Sequence, residues 1–328
     1  MSSESTSGRL GERAGTLLPG GGRRRLVVTA LTAILVFLLL YYPIGMALVH
    51  TVDDDTEFAI PETLVVQNGS RAVSMAVALI RREVDDHWWV ANDPFFYPSS
   101  ALDNMPNYQQ GIVSALARFA FELSDQIGRT RGSSQTDEDL QSASGELQFQ
   151  GDVWFVDLGS DNPVNTVVSE RRYRKAANSL ERYNARLGAG SAVFERRSDN
   201  LLATLDRIAL DLGASSATID TRIAEYSGRW LDTRADDIFY GVKGQTYAYY
   251  LILRELSADY QNVIAERQLA TAWAQMQDSL RRASALQPFM VINGAPDAQL
   301  QPSHLAAQGF YLLRARTQLR EITNILLK

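Results

Sequence analysis

The stretch from residue 26 to residue 50 contains no Asp, Glu, Lys or Arg, and this constrains the chain more than any other feature. Residues 26–40 are apolar except for Thr29 and Thr32. An α-helix rises 1.5 Å per residue, so about 20 such residues cross a hydrocarbon core roughly 30 Å thick. The sequence therefore predicts a transmembrane helix over residues 26–49. A buried globular helix fits less well, because a core helix of this length keeps a polar face.

A cleaved signal peptide is the main alternative for this stretch. The apolar region of a signal peptide usually has about 7–15 residues and ends at a site resembling Ala-x-Ala. The apolar region here is longer, and residues 45–50 (Gly-Met-Ala-Leu-Val-His) match such a site poorly. We therefore predict an uncleaved signal anchor that places the protein in the lipid bilayer.

The charges on either side of the span predict its orientation. Residues 1–25 contain five arginines and two glutamates, whereas residues 51–70 contain five acidic residues and no basic one. The basic flank stays in the cytoplasm. We expect a single-pass membrane protein with a disordered cytoplasmic tail over residues 1–25, which is too short to fold alone, and a C-terminal domain outside the cytoplasm.

Composition excludes several chemistries. The chain has 328 residues and no cysteine, so it forms no disulfide, thiol nucleophile or cysteine-ligated metal site. Its net charge is −6, and its basic runs are short and interleaved with acids, so we expect no nucleic-acid partner. We also predict no cofactor and no metal site.

Apolar residues recur at helical spacing over most of residues 70–328, after an acidic linker at residues 50–69. The pattern predicts an all-α fold, a helical bundle without an extended sheet. Gly188 and Gly213 are predicted to end helices, and residues 247–253 have no polar face and should form a central helix. The predicted helical stretches are 73–88, 112–127, 173–187, 201–212, 219–226, 247–253, 269–283 and 312–326. Ser70 is the predicted N-cap of the first of them.

Residues 129–165 interrupt this periodicity with several glycines, serines and a proline. They mark a sub-boundary that would divide the bundle into two packed sub-bundles. The β-forming residues between positions 147 and 158 lie in the same region, but a strand there would have no obvious partner.

The densest unusual stretch combines aromatic rings with carboxylates and amides between residues 88 and 104. Rings stack on sugar faces while Asp and Asn side chains bond hydroxyl groups, so this composition is typical of a glycan-binding cleft. The structural alternative is a rigid, proline-rich link in which Trp88 extends the first helix's apolar stripe and Asp103 or Asn104 caps the next helix. The predicted binding residues are Trp88, Trp89, Asn92, Asp93, Phe95, Phe96, Asp103 and Asn104.

No catalytic motif stands out. The chain has three histidines and neither an H-E-x-x-H nor a G-x-S-x-G sequence. A pair of carboxylates can hydrolyse a glycan, but the sequence does not rank one pair above another, because that chemistry depends on their separation in the fold. We therefore lean towards a protein that is not an enzyme.

Several sequence pieces resemble a known family. These are Asn-Asp-Pro at 92–94, Leu-Asp-Asn-Met-Pro-Asn at 102–107 and Gly-Gln-x-Tyr-Ala-Tyr at 244–249. The chain resembles the family catalogued as domain of unknown function 2333, helical proteins with one N-terminal membrane span in Gram-negative bacteria. The resemblance implies a location in the bacterial inner membrane with a periplasmic domain, and it implies a helical fold. It implies no activity, cofactor or catalytic residue.

The leading functional hypothesis is a membrane-anchored, non-enzymatic envelope scaffold or assembly factor that docks on another envelope protein. The alternative is a protein that binds or cleaves peptidoglycan or another glycan through the region from Trp88 to Asp103. A lipid-handling role comes third, because it would need an apolar cavity between helices.

Overall fold

The computed structural model describes residues 20–101, 103–127, 136–155, 167–229 and 232–328. All regular structure within these residues is helical, apart from one isolated antiparallel bridge between Asn293 and Ser303. The all-α prediction is therefore confirmed. The α-helices are α1 (Gly20–Val49), α2 (Arg71–Arg81), α3 (Asn104–Glu122), α4 (Glu138–Leu147), α5 (Ser169–Gly188), α6 (Ser198–Tyr226), α7 (Ala235–Asp259), α8 (Gln261–Glu266), α9 (Ala270–Ser284) and α10 (His304–Leu326).

The chain divides into two compact units, residues 1–44 and residues 45–328. Among the described helices, α1 alone is long and apolar enough to cross a membrane. Its apolar side chains, such as Leu31 and Phe37, are exposed. Exposure of so many apolar side chains is expected where lipid, and not a protein core, surrounds a helix. By its length and composition, α1 qualifies either as a membrane anchor or as a signal sequence.

Helix α2 begins at the residue that the sequence predicts. Ser70 is the N-cap, and its hydroxyl accepts a hydrogen bond from the Val73 amide at 3.2 Å. The buried carboxylate of Asp259, at the end of α7, accepts from the Arg71 and Ala72 amides at 3.0 Å each. A carboxylate at this position satisfies free N–H groups and complements the helix dipole. The start of α2 is thereby fixed to the end of α7.

Helix α7 is the central helix of the second unit, as its apolar run predicts. All side chains from Tyr247 to Leu253 are buried. Helix α7 packs against α3 most extensively and also against α2 and α9.

Two glycines set the distance between α3 and α7. A Cβ atom on Gly244 would lie 2.0 Å from the carbonyl oxygen of Tyr108, and one on Gly111 would lie 2.1 Å from that of Gly241. Real carbon atoms do not approach backbone oxygens this closely. The two helices therefore pack backbone against backbone, and only glycine fits at these two positions.

The predicted helix end at Gly213 is wrong. Helix α6 continues through this residue to Tyr226 and includes the stretch predicted as a separate short helix. A Cβ atom on Gly213 would lie 3.1 Å from the guanidinium carbon of Arg316 on α10. The glycine therefore leaves room for a side chain of a packed neighbour, at the modest cost that glycine has within a helix.

The predicted sub-boundary at residues 129–165 contains helix α4, which packs against α3 and α5. Residues 128–135 and 156–166 lie outside the described residues, so the boundary stays a prediction. The strand-like residues 147–155 form the end of α4 and a series of turns.

The contact between α3 and α7 gives a direct stability prediction. Gly244→Ala should destabilise the protein by about 3 kcal/mol, the upper end of the usual cost of overpacking, because its methyl group meets a backbone oxygen. The matched control is Gly145→Ala in α4, where a Cβ atom has no neighbour within 4 Å. Alanine there should stabilise the helix by up to about 1 kcal/mol. Thermal unfolding followed by circular dichroism measures both effects. Equal stability of the two variants would contradict the close packing of α3 and α7.

Candidate functional site: the aromatic loop and the Arg82 cluster

The candidate site begins where α2 ends. Residues Arg82–Asp86 form a single π-helical turn, and the loop that follows, residues 88–103, is called the aromatic loop below. Arg82 is buried, and its guanidinium donates to Glu83 Oε1 at 2.9 Å and to the Tyr247 hydroxyl at 2.8 Å. The same guanidinium lies 4.6 Å from the centre of the Phe58 ring, a cation–π distance. A buried charge is stable only with such partners.

Asp53 and His87 complete this group. We call Asp53, Arg82, Glu83, His87 and Tyr247 the Arg82 cluster. Asp53 Oδ2 lies 3.4 Å from Arg82 Nη1 and 3.6 Å from His87 Nε2, while His87 Nδ1 lies 3.7 Å from Glu83 Oε1. The interaction with Glu83 is the largest cause that raises the pKa of His87, and Asp53 adds to it against the opposing effect of burial. The imidazole is therefore held between two carboxylates that favour its protonated form.

The bundle also binds the backbone of the predicted linker. Hydroxyl groups of Tyr108 and Tyr247 donate to the carbonyl oxygens of Asp53 and Asp55 at 2.7 Å each. Arg254 donates to the carbonyl oxygens of Thr56 and Phe58 at 2.9 and 2.5 Å. Residues 53–58 are thus bound to α3 and α7 along their length.

Lys243 provides a second charge contact with this segment. Its ammonium group is buried, donates to Asp54 Oδ2 and also donates to the Leu286 carbonyl at 2.6 Å. Burial lowers the pKa of Lys243, although Asp54 opposes the effect. The Asp-Asp-Asp sequence at 53–55 is therefore a ligand for the bundle's own buried cations and hydroxyl groups.

Trp88 leaves the bundle on a left-handed backbone. Its φ angle is +59°, which is unusual for a residue with a bulky side chain. The indole is 70% exposed, so it does not extend the apolar stripe of α2, and that structural alternative is wrong for Trp88. The buried Gln109 side chain fixes this turn, since it donates to the Trp88 carbonyl at 2.9 Å and accepts from the Val90 amide at 3.0 Å.

Trp89 and Asn92 anchor the aromatic loop to the bundle. Trp89 is 3% exposed, donates through Nε1 to the Gly151 carbonyl at 2.7 Å and packs edge-on against Tyr173. The buried Asn92 amide donates to the Val153 carbonyl and to Glu170 Oε2, each at 2.9 Å. Both predicted site residues therefore face inwards and join the aromatic loop to the turn after α4.

Asp93 and Asp103 have separate partners. The Asp93 carboxylate accepts a hydrogen bond from Ser99 Oγ, and burial raises the pKa of Asp93. Asp103 occupies the N-cap position of α3, immediately before the half-buried Asn104, but its side chain makes no capping hydrogen bond. It lies instead within hydrogen-bonding reach of Asp237 on α7. The structural alternative is therefore right that Asp103 is the cap residue of α3, although its side chain bonds no amide of that helix.

Asp103 and Asp237 bring two carboxyl groups within hydrogen-bonding reach of each other. Asn107 Nδ2 donates to Asp237 Oδ1 and to the Asp103 carbonyl, at 2.9 Å each. Burial, followed by Asp103 and Asp236, raises the pKa of Asp237 to about 6. The two carboxyls are in direct contact, whereas glycosidases hold their carboxyls about 5 Å or more apart. This arrangement suits a structural contact better than glycan cleavage.

Three rings of the aromatic loop and the ring of Trp154, which follows α4, form one cluster that we call the aromatic patch. It consists of Phe95, Phe96, Tyr97 and Trp154. Phe96 lies at the centre, with ring centroids 5.5, 5.1 and 5.7 Å from those of the other three. Phe95 is 80% exposed, and Phe96 and Tyr97 are each over 40% exposed.

The aromatic loop passes directly beside the last turn of α1. A Cβ atom on Gly45 would lie 2.3 Å from Pro98 Cγ, so glycine alone allows this approach. Gly45 belongs to the same compact unit as the bundle.

A polar part of the bundle's surface that folds inwards lies away from the predicted binding residues. A cleft of about 710 Å³ opens between α3, α6 and the turn after α4, and its polar lining includes Gln110, Ser114, Arg118, Asp211 and Gln245. None of the eight predicted residues lines it. Across the part of the chain that the structure describes, no group of three His, Asp or Glu residues is arranged to hold a metal ion.

Sequence reasoning missed the residues whose partners lie far away in the chain. Trp154 joins the aromatic patch, Arg82 and Lys243 bind the acidic segment, and Asp237 pairs with Asp103. The one available signal was the Asp-Asp-Asp sequence at 53–55 with no basic residue nearby, which implies distant cations.

A comparison with models of known protein families shows to which family this chain belongs. The model of the family described as "Uncharacterized protein conserved in bacteria (DUF2333)" matches residues 23–229 and 215–328, which is nearly the whole chain. The chain belongs to this family. The match includes the aromatic loop and the Arg82 cluster of this DUF2333 protein, and the resemblance drawn from the sequence is confirmed. No curated protein and no solved structure matches the chain.

The Arg82 cluster of the DUF2333 protein predicts a pH-dependent stability. The pKa of His87 is higher in the folded protein than its ordinary value of 6.5. His87 therefore contributes its full stabilisation of the fold below pH 6.5, and this stabilisation is lost as the pH rises through the pKa of the folded state. His87→Gln should therefore lose about 0.5–1 kcal/mol in acid and little in base, as expected for a partly exposed ion pair. Thermal unfolding across this pH range measures the difference.

His304 supplies a control of opposite sign. Its Nδ1 atom accepts from the Ile292 amide at 2.9 Å, and burial lowers its pKa. The contribution of His304 should be present in base and be lost as the pH falls below 6.5. A His87→Gln effect that does not change with pH would contradict protonation of His87 in the Arg82 cluster.

Proposed function

We propose that this DUF2333 protein is a non-enzymatic scaffold or assembly factor of the bacterial cell envelope, anchored in the inner membrane through α1 and with its helical domain in the periplasm. The observation that carries this proposal is the presentation of Trp88. The exposed indole stands on a strained backbone that buried hydrogen bonds hold in place. Such strain at a surface residue is typical of a functional position.

Charge asymmetry supports the membrane orientation. Arg23, Arg24 and Arg25 precede the apolar part of α1, and the first charges after it are Asp53, Asp54 and Asp55. Basic residues close to a span remain on the cytoplasmic side. The acidic residues on the other side are bound to the bundle by Lys243 and the Arg82 cluster. These contacts bind the segment that follows α1 to the bundle.

The absence of cysteine from the chain allows the topology to be tested with single introduced cysteines. Gln141→Cys, on an exposed position of α4, should react with a membrane-impermeant maleimide once the outer membrane is permeabilised. Ser3→Cys should react only after the inner membrane is disrupted. Protection of both cysteines until lysis would place the domain in the cytoplasm. A shortened mature chain that lacks the N-terminal residues would identify α1 as a cleaved signal peptide.

Docking through Trp88 follows from the energetics of interfaces. Tryptophan is enriched among the few residues that contribute most to binding, and a preorganised side chain loses little entropy on association. Trp88 is large, exposed and fixed at its backbone. The neighbouring Trp89 and Asn92 hold the aromatic loop in place. We therefore assign Trp88 to the contact with the partner, and Trp89 and Asn92 to the support of that contact.

Glycan hydrolysis has less support than docking. Asp93 is bonded to Ser99 and Asp103 to Asp237, so the two proposed acids are directed at separate protein partners. The exposed rings form an outward patch. A hydrolase needs two carboxyls on opposite sides of one bound sugar.

Partner capture tests the docking proposal. Full-length protein purified from its native membrane in mild detergent should bring down a near-stoichiometric envelope protein, which mass spectrometry identifies. Trp88→Ala should weaken this association by about 2 kcal/mol or more, roughly 30-fold in Kd, if Trp88 is a hot spot.

The matched control is Phe289→Ala, which removes another exposed aromatic side chain and should leave the association unchanged. Circular dichroism checks that both variants fold. Failure to recover any protein with the wild type, or equal recovery with all three forms, would overturn docking through Trp88.

A further inference from the structure

We infer that the aromatic patch inserts into the lipid headgroup region of the membrane beside the end of α1. The inference rests on the proposed membrane anchoring and adds a second, lipid-binding surface to it. Trp88 is not part of this surface. The patch is Phe95, Phe96, Tyr97 and Trp154, and the argument uses its depth, its charge and its rigidity.

Depth along α1 is the first step. The uncharged stretch begins at Leu26, after Arg25. At 1.5 Å per residue, about 20 residues cross a hydrocarbon core of roughly 30 Å, which brings the chain to the position of Gly45. Pro98 packs directly against Gly45, and the patch residues Phe95, Phe96 and Tyr97 immediately precede Pro98. The patch residues on the aromatic loop are therefore within three residues of a contact made at the level where the hydrocarbon core meets the headgroups.

The chemistry of the patch fits this level. Aromatic side chains are enriched at the boundary between hydrocarbon and water, where their flat rings fit among the headgroups. Residues 94–101 carry no charge, and neither do residues 153–155. A patch that attracted anionic lipids would carry Lys or Arg. The patch should therefore bind zwitterionic lipids as readily as anionic ones, and its binding should depend little on salt concentration.

The patch is built in advance of any contact. Phe96 on the aromatic loop packs edge-on against Trp154 from the turn after α4. The hydrogen bond from Asn92 to the Val153 carbonyl joins the same two segments beneath the rings. The rings are consequently presented together on a fixed backbone, and insertion needs no folding of a loose segment.

The test uses full-length protein in phosphatidylcholine vesicles and a single introduced cysteine. Phe95→Cys is labelled with an environment-sensitive nitrobenzoxadiazole dye, and spin-labelled lipids with the nitroxide near the headgroup serve as quenchers. The control is Phe289→Cys with the same dye, because Phe289 is also highly exposed. Vesicle flotation reports separately whether the protein is anchored.

We expect the dye at position 95 to shift to shorter wavelength and to lose roughly half of its emission to the spin-labelled lipids, as for a group at the interface. The dye at position 289 should remain accessible to aqueous iodide, and added salt should change neither signal. A dye at position 95 that behaves like the one at 289, on protein that floats with the vesicles, overturns the lipid assignment while the anchor stands. Protein that fails to float overturns the anchoring proposal and the lipid assignment with it.

Discussion

The buried guanidinium of Arg82 is the constraint on which the rest of this structure depends. A buried charge needs several partners. Here they are Asp53 and Phe58 from the segment after α1, the adjacent Glu83, and Tyr247 from α7. Removal of one partner from such a buried group leaves an uncompensated charge, which is usually far more costly than the loss of a surface ion pair. The Arg82 cluster thus joins the segment after the apolar helix to the end of α2 and to the central helix α7.

The shape of the aromatic loop follows from the same place. The π-helical turn at Arg82–Asp86 follows α2. Trp88 then adopts a left-handed backbone conformation, and the side chains of Trp88 and Trp89 have different environments. One indole enters the core against Tyr173, and the other meets solvent. Gln109 on α3 holds both sides of this turn. An exposed indole and a core contact therefore arise from two adjacent residues of identical type.

Much of the fold could be predicted from the sequence, because helical periodicity is a local property. The Ser70 cap, the central position of residues 247–253 and the apolar helix α1 follow from the order of residues alone. Gly213 shows the limit, since glycine ends a helix or makes room for a neighbour, and only the position of Arg316 decides between them.

The site was predictable only as a region. The choice between Trp88 and Trp89, the Asp103–Asp237 pair and the contact of Trp154 with Phe96 all depend on residues more than 50 positions apart or on one backbone angle.

The attachment of residues 53–58 to the bundle has a consequence for the length of the chain. A flexible tether between an anchor and a domain tolerates insertions, because added residues only lengthen a coil. Here the carbonyl oxygens of Asp53, Asp55, Thr56 and Phe58 are matched to fixed donors on Tyr108, Tyr247 and Arg254. One added residue between Val49 and Phe58 would move every carbonyl after it out of register with its donor. This stretch therefore acts as a ruler of fixed length between the end of α1 and the centre of the bundle.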